Sequence, residues 1–469
     1  MVDLMAIMPL IILTAGCVLC LLAGALRPGF YLYGAAAAVV CVALAWSVCI
    51  PAEAVMPGLA VTPFSRDCSI FLYATGLVAL LLACGYNRRR RIVGEEYPAT
   101  LLFALVGMGA TCAASDLLML FLGLEAFTFA FYILVAIETD SERGGEAGLK
   151  YLLNGTLSAA VMGMGIALVY AGSGTLKLAE LASAAAAPGP LLTAGLCLLL
   201  LGLAFKLSLA PAHLWTPDVY QGAPAPATAL LSTASKGAAA VALLLLFPLL
   251  LRWQGWHDLL WMLSLLSMLC GNLAALRQTS IKRMLAWSSI AQMGYVALAF
   301  VAYPAGGGRA ALFYAVAYAA AGLASFGAVA VLSDGSDRDA IDGYRGLGYR
   351  HPLAGAALTA AMFSLAGVPP AVGFMAKFAV FSAALKGGEV ALALAGMATA
   401  LVAVFFYLRI VVTLYMKPAQ DSADQVRPLL LSETVALAIP LAVMIVLGVY
   451  PSPLLELLSR ILPYIPSIR

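Results

Sequence analysis

The stretch LGLAFKLSLAPAHLWTPDVYQGAPAP, residues 201–226, decides the fold. It starts as an apolar helix, carries Lys206 within that run, and then meets Pro211 and Pro217. Proline lacks an amide donor and clashes with the preceding turn, so a helix here must break. A second stretch, MFSLAGVPPAVGFMAKFAVFSAALKGG at 362–388, repeats the arrangement with Pro369, Pro370 and Lys377. Backbone groups freed by such breaks are tolerated in a bilayer only where they face protein or water. Broken helices at corresponding places in two halves point to a transporter built of repeats.

The rest of the chain agrees with a membrane setting. It is 63% hydrophobic and 10% charged, with a mean hydropathy of +0.99, far from the usual soluble mixture. Apolar segments of about 20 residues recur, the length that crosses a bilayer core. Short alternating segments of the β-barrel kind are absent from the sequence. The expected fold is an all-α polytopic membrane protein of about 14 transmembrane helices, near 4–26, 30–50, 69–86, 99–115, 116–137, 147–171, 189–221, 225–250, 256–276, 282–303, 308–333, 352–386, 389–416 and 430–450. The proline breaks fall in spans 7 and 12. Five spans separate them, and an odd offset makes the two repeats inverted: spans 4–8 and spans 9–13. The expected division is a three-helix region at 1–98, a first repeat at 99–250, a second at 256–416, and a last helix and tail at 417–469. Residues 182–190 read as a plain connector, and the first span as a retained anchor, because MVDLMAIMPL has no basic leader.

The basic residues give an orientation. Odd-numbered loops hold fourteen: Arg27, Arg88 to Arg91, Arg143, Arg277, Lys282, Arg283, Arg338, Arg345, Arg350, Lys417 and Arg427. Even-numbered loops and the tail hold seven: Arg66, Lys177, Arg252, Arg309, Lys386, Arg460 and Arg469. The positive-inside rule then places the odd loops in the cytoplasm and both termini outside. Nine cysteines lie mostly in apolar runs, so no disulfide framework is expected. Cys17 and Cys20 form a C-x-x-C on an apolar helix without a His nearby, which favours packing over metal or redox use. No flavin, haem, iron–sulfur or nucleotide motif is visible, and a net charge of +3 suggests no nucleic-acid partner.

Five basic residues remain within or at the ends of spans: Lys150, Lys206, Lys236, Lys377 and Arg409. Among the carboxylates, Glu125 alone reads as deep within one, in DLLMLFLGLEAFTFAFYILVAI. A charge near the centre of a spanning helix costs roughly 2.5–3.5 kcal/mol, so an ion or proton path is the default reading. Glu125 is expected as counter-ion to a buried lysine, against a packing role. Lys206 and Lys377 flank the breaks, against snorkelling to the interface. Lys236 lies more than ten residues from either end of its span, which leaves little room for snorkelling. His213 is either a relay that titrates near neutral pH or a hydrogen-bonded residue of the break. Lys150 and Arg409 read equally well as interface residues. Burial disfavours a charged amine and a carboxylate restores it. A pair at 4 Å and an effective dielectric near 20 is worth roughly 4 kcal/mol. Opening and closing a Glu125–Lys206 pair is thus expected to switch Lys206 between holding and releasing a proton. Lys236 would pass it on to Lys377, for which no carboxylate partner deep in a span is evident.

LGLEAF, EAGLKYLLNG, FKLSLAPAHLWTPDVYQGAPAP, GNLAALRQTSIKRMLAWSSIAQMGY and GVPPAVGFMAKF resemble the N-subunit family of bacterial proton-pumping NADH:quinone oxidoreductase, complex I. The resemblance runs in register from about residue 99 to 415; the first three spans and the last fit by position only. It implies an antiporter-like fold of 14 helices with discontinuous helices 7 and 12. It assigns proton translocation to Glu125, Lys206, Lys236 and Lys377, and polar-axis positions to Lys150 and His213. WTPDVYQGAP lies closer to the N subunit than to its L and M paralogues, Lys377 argues against the M type, and the lack of a long lateral helix after span 14 argues against the L type. Gln292 stands where the family often has histidine, so a water-ordering role is expected there rather than a titrating one. The resemblance implies a translocase subunit of the respiratory chain in the bacterial cytoplasmic (inner) membrane. Neighbouring antiporter-like and small membrane-arm subunits would be its partners. No cofactor or metal is expected in this chain; flavin, iron–sulfur clusters and quinone would belong to partner subunits. Two alternatives stay open: a subunit of a multisubunit sodium/proton antiporter, and a structural subunit that conducts nothing.

Overall fold

The computed structural model describes residues 2–50, 53–92, 94–184, 189–333, 338–418 and 428–465. Arg427 and Arg469 of the charge count lie outside these, as do 185–188 of the expected connector. The chain opens with α1 (Val2–Leu26) and α2 (Tyr31–Cys49), then a two-stranded antiparallel hairpin, β1 (Ala54–Met56) and β2 (Leu59–Val61). Next come α3 (Pro63–Arg90), α4 (Glu96–Cys112), α5 (Leu117–Val135), α6 (Glu142–Ser173) and the short α7 (Leu178–Ala184). Span 7 is two pieces, α8 (Pro190–Leu207) and α9 (Thr216–Gly222), followed by α10 (Ala225–Leu250), α11 (Trp256–Leu276), α12 (Ile281–Val301) and α13 (Gly307–Leu332). After the one-turn α14 (Leu347–Arg350), span 12 is likewise split into α15 (Pro352–Ala366) and α16 (Val372–Lys386). The chain then runs through α17 (Val390–Tyr415), α18 (Leu431–Val449) and the amphipathic α19 (Ser452–Ile461).

Among the described residues, twelve helices are long and apolar enough to cross a membrane. The 17-residue α4 and the split pair α15/α16 supply the other two of the fourteen expected spans. Polar residues set the starts. Asp116 accepts from the Met119 amide at 2.7 Å, and Ser141 and Ser280 cap α6 and α12 in the same way at 3.1 Å. Thr62 and Ser65 form a reciprocal capping box ahead of Pro63 at the head of α3. The hairpin between α2 and α3 departs from the all-helical expectation. Pro57 and Gly58 close it, and Gly58 takes φ +81°, the conformation a Pro-Gly turn requires of its second residue.

The two breaks match in detail. Each first half ends at a left-handed residue, Ser208 (φ +58°) after α8 and Gly367 (φ +84°) after α15. Each has a cis X–Pro bond two residues later, Ala210–Pro211 and Pro369–Pro370. Burial then fixes what lies at the centre. The most apolar stretch of α10 is wholly buried, and those of α12 and α13 are 94% buried, whereas that of α1 is only 17% buried. A helix apolar on every side belongs inside a bundle. Anything polar on α10, α12 or α13 is therefore far from lipid.

One reading of the charges needs correction. Lys282, counted as a loop residue, is fully buried in the first turn of α12, and its ammonium donates to the Ala223 carbonyl at 3.2 Å. Glu433, in the first turn of α18, is 1% exposed and pairs with Arg89 of α3, so a carboxylate here is buried without lying deep in a span. Both lie near helix ends, where sequence places a charge at the interface unless another helix covers it.

Candidate functional site

The interior charges form a contact chain that starts on α5. Asp116 fixes the register of that helix, placing Glu125 two turns later with its side chain 22% exposed. Its Oε1 lies 2.8 Å from the Lys206 Nζ, and Lys206 also donates to Thr128 Oγ1, one turn along the same helix, at 2.7 Å. Lys206 sits in the last turn of α8, where the carboxyl-end dipole favours a cation. The next amine, Lys236 on α10, is 1% exposed. It donates to the Lys206 carbonyl at 2.9 Å and to the Ser208 hydroxyl, with the Trp215 ring centroid at 5.0 Å. Ser208 in turn accepts from Thr216 at 2.7 Å. Glu125, Lys206 and Lys236 are thus brought together, with the backbone of the break as their connector.

Lys377 belongs to a second cluster. It lies in α16, yet its ammonium reaches back to the last turn of α15, donating to the carbonyls of Leu365 (2.8 Å) and Ala366 (3.0 Å). The Tyr295 ring centroid is 5.3 Å away. This answers what steadies Lys377 without a carboxylate: two carbonyls left unpaired by the helix break. Lys236 and Lys377 therefore do the same job, each capping the first half of a broken helix. Gln292 joins the second cluster, because its Nε2 donates to the same Leu365 carbonyl at 3.1 Å and to Tyr407 at 2.9 Å, while its Oε1 accepts from Tyr314. Every polar atom of that amide is engaged by protein. Between the clusters, Ser289 accepts from Tyr318 at 2.7 Å and Ser288 contacts Tyr407. This hydroxyl-rich seam on α12, α13 and α17 contains no carboxylate among the described residues.

The remaining candidates lie apart. His213, in the turn between α8 and α9, packs its ring 5.3 Å from Trp287 and has no ion pair among the described residues. Lys150 pairs with Glu146 and Asp218, each at 2.7 Å, and Asp218 is also gripped by Arg283 at 2.5 Å. These groups line a polar cavity of about 220 Å³ where α6, α9 and α12 meet. Asp218 and Arg283 were missed in the sequence; the acid directly after the second proline of the break was their only signal. Arg409 caps α11, donating to the Leu276 carbonyl at 3.4 Å and to that of Gln278. No cluster of ligands suited to a metal ion is present among the described residues.

Residues 114–403 match the family model described as NADH:quinone oxidoreductase/Mrp antiporter, transmembrane. The chain is 50% identical over 465 residues to NADH-quinone oxidoreductase subunit N of Geotalea uraniireducens (strain Rf4), covering 98% of this chain and 99% of that one. It belongs to the NADH-quinone oxidoreductase subunit N family. Among solved structures it is similar to a chain of respiratory complex I from Thermus thermophilus, at 32% identity and a TM-score of 0.83, over 96% of this chain and 98% of that one. A chain of the Mrp complex from Dietzia sp. shares the fold alone, at 21% identity and a TM-score of 0.81, over 100% of this chain and 98% of that one. The similarity to subunit N extends over nearly the whole chain, including the first three spans and the last, where motif resemblance was lacking.

Proposed function

We propose that this chain is a membrane-arm subunit of a respiratory NADH:quinone oxidoreductase and carries protons from cytoplasm to periplasm, driven by quinone reduction elsewhere in the complex. The observation that carries this reading is the Glu125–Lys206 ion contact at 2.8 Å, continued by the Lys206 carbonyl and Ser208 to the fully buried Lys236. A carboxylate near Lys206 favours its protonated form; drawing Glu125 away would leave a desolvated ammonium that releases its proton. Lys236 is the next base in reach. The hydroxyls of Tyr318, Tyr314 and Tyr407 and interposed water would conduct onward to Lys377. Gln292, held on three sides, orders this passage rather than titrating within it. The Lys150–Asp218–Arg283 cavity is the access region on the side of the odd-numbered loops, which the distribution of basic residues assigns to the cytoplasm, with both termini periplasmic. Residues 99–250 and 256–416 are the two inverted repeats, each contributing one capped broken helix. Flavin, iron–sulfur clusters and quinone would sit in partner subunits, so this chain acts as a translocase without a redox centre of its own.

Lys236→Ala in the assembled complex tests this. Proton pumping per electron pair, followed in inverted vesicles, is expected to fall several-fold with normal assembly. Unchanged pumping by a fully assembled variant would remove the conducting role.

A further inference from the structure

Two apolar cavities flank α16 on opposite sides. One, of about 540 Å³, lies between α16 and α17 and is walled by Phe374, Phe378, Phe381 and Leu401, with Lys377 and Lys386 as its two cations. The other, of about 210 Å³, lies among α13, α16 and α19 and includes Phe313, Met375, Leu455, Arg309 and again Lys386. Phe378, Ser382 and Lys386 line both, so α16 is a partition, with Arg309 joining Lys386 on the smaller side and Lys377 on the larger. No carboxylate lines either cavity. Lys386 has no ion pair or side-chain hydrogen bond among the described residues, whereas Arg309 makes one contact, to Ser459 of α19 at 3.1 Å.

The depth of these mouths can be read from α19. Leu458 and Ile461 are buried, while Glu456, Ser459 and Arg460 face outward, the pattern of a helix lying in the headgroup plane. Arg309 is tied to that helix, and Lys386 ends α16 on the same side. Phe378 is 60% and Leu401 75% exposed, an apolar surface that asks for cover. A lone lysine at a helix end needs no ligand, since snorkelling explains it. Two cations at headgroup depth over two apolar clefts divided by one helix need more. We propose that this is a binding site for one anionic diacyl phospholipid, its phosphate between Lys386 and Arg309 and its acyl chains straddling α16. Apolar clefts accept the chains, and paired cations without a competing acid select a negatively charged headgroup over a zwitterionic one. Lys377 of the proposed proton path lines the larger cleft, but the headgroup contacts assigned here are made by Lys386 and Arg309 alone.

The test uses the intact complex and a phosphatidylglycerol with a photoactivatable diazirine on one acyl chain, against the same probe built on phosphatidylcholine. After photolysis, peptides from α16, α17 and the start of α13 are expected to carry the phosphatidylglycerol label in preference to the phosphatidylcholine label. In the assembled R309Q/K386Q variant, phosphatidylglycerol labelling should fall by about tenfold or more, as expected for two interfacial cations, with phosphatidylcholine labelling unchanged. Equal labelling by both probes would mean ordinary annular lipid and would overturn the proposal. So would labelling indifferent to the charge change, or crosslinks from these helices to a neighbouring subunit in place of lipid.

Discussion

Glu125 and Lys206 are the residues whose separation tells most, because charge is conspicuous where water is scarce. For the same reason Glu125, Lys206 and Lys236 were legible from the order of residues alone: each lies far from the ends of its apolar run or beside a proline break. Glu125→Gln keeps the shape and a hydrogen-bond acceptor but removes the charge. It is expected to preserve assembly while lowering both pumping and quinone-coupled turnover, measured together on vesicles of the purified complex. A variant that fails to assemble would instead mark Glu125 as a packing residue. Lys282 and Glu433 were not legible. Each sits in a first helical turn, and whether such a side chain meets water or protein depends on which distant helix covers it.

Elements were easier to read than their ends. Proline fixed both breaks, since no local choice of side chain restores the lost donor. The hairpin at 54–61 escaped, because three-residue strands around Pro57–Gly58 carry too little periodicity to stand out from a loop. What sequence could not supply is the use to which the breaks are put, with Lys236 and Lys377 turned onto the carbonyls of α8 and α15. Ser208 separates the backbone part of that arrangement from its side-chain part. Ser208→Gly suits the left-handed φ and should leave thermal stability near wild type, yet it strips Lys236 of a hydroxyl and should slow pumping. Ser208→Ala loses the same hydroxyl but keeps the Cβ that serine already holds in that conformation, so it lacks the relief of about 1 kcal/mol that glycine gains there. Comparing the melting temperatures and pumping rates of the two complexes resolves the contributions; equal pumping by Ser208→Gly and wild type would exclude the hydroxyl.

On the scale of the whole molecule, a buried ion pair ties two helices outside the repeats to each other. Arg89 and Glu433 join α3 to α18 largely out of contact with water. Glu433→Ala leaves a largely desolvated guanidinium unmatched, a loss of about 3 kcal/mol, and should reduce the amount of assembled complex recovered from membranes. Glu433→Ala/Arg89→Met removes both charges and should recover much of that loss; equal yields from the single variant and wild type would show the pair to be dispensable. The fourteen-span plan was legible because bilayer thickness sets helix length, but no such rule dictates lateral neighbours. Among the described residues, the interior or half-buried cations Lys236, Lys377 and Arg409 rest on carbonyls of the chain rather than on acids. A peptide dipole has no proton to accept or surrender. On the proposed path a change of charge at Lys377 would meet no carboxylate in contact with it among the described residues, so the altered field would reach farther groups, which suits this amine to transmit state along a membrane.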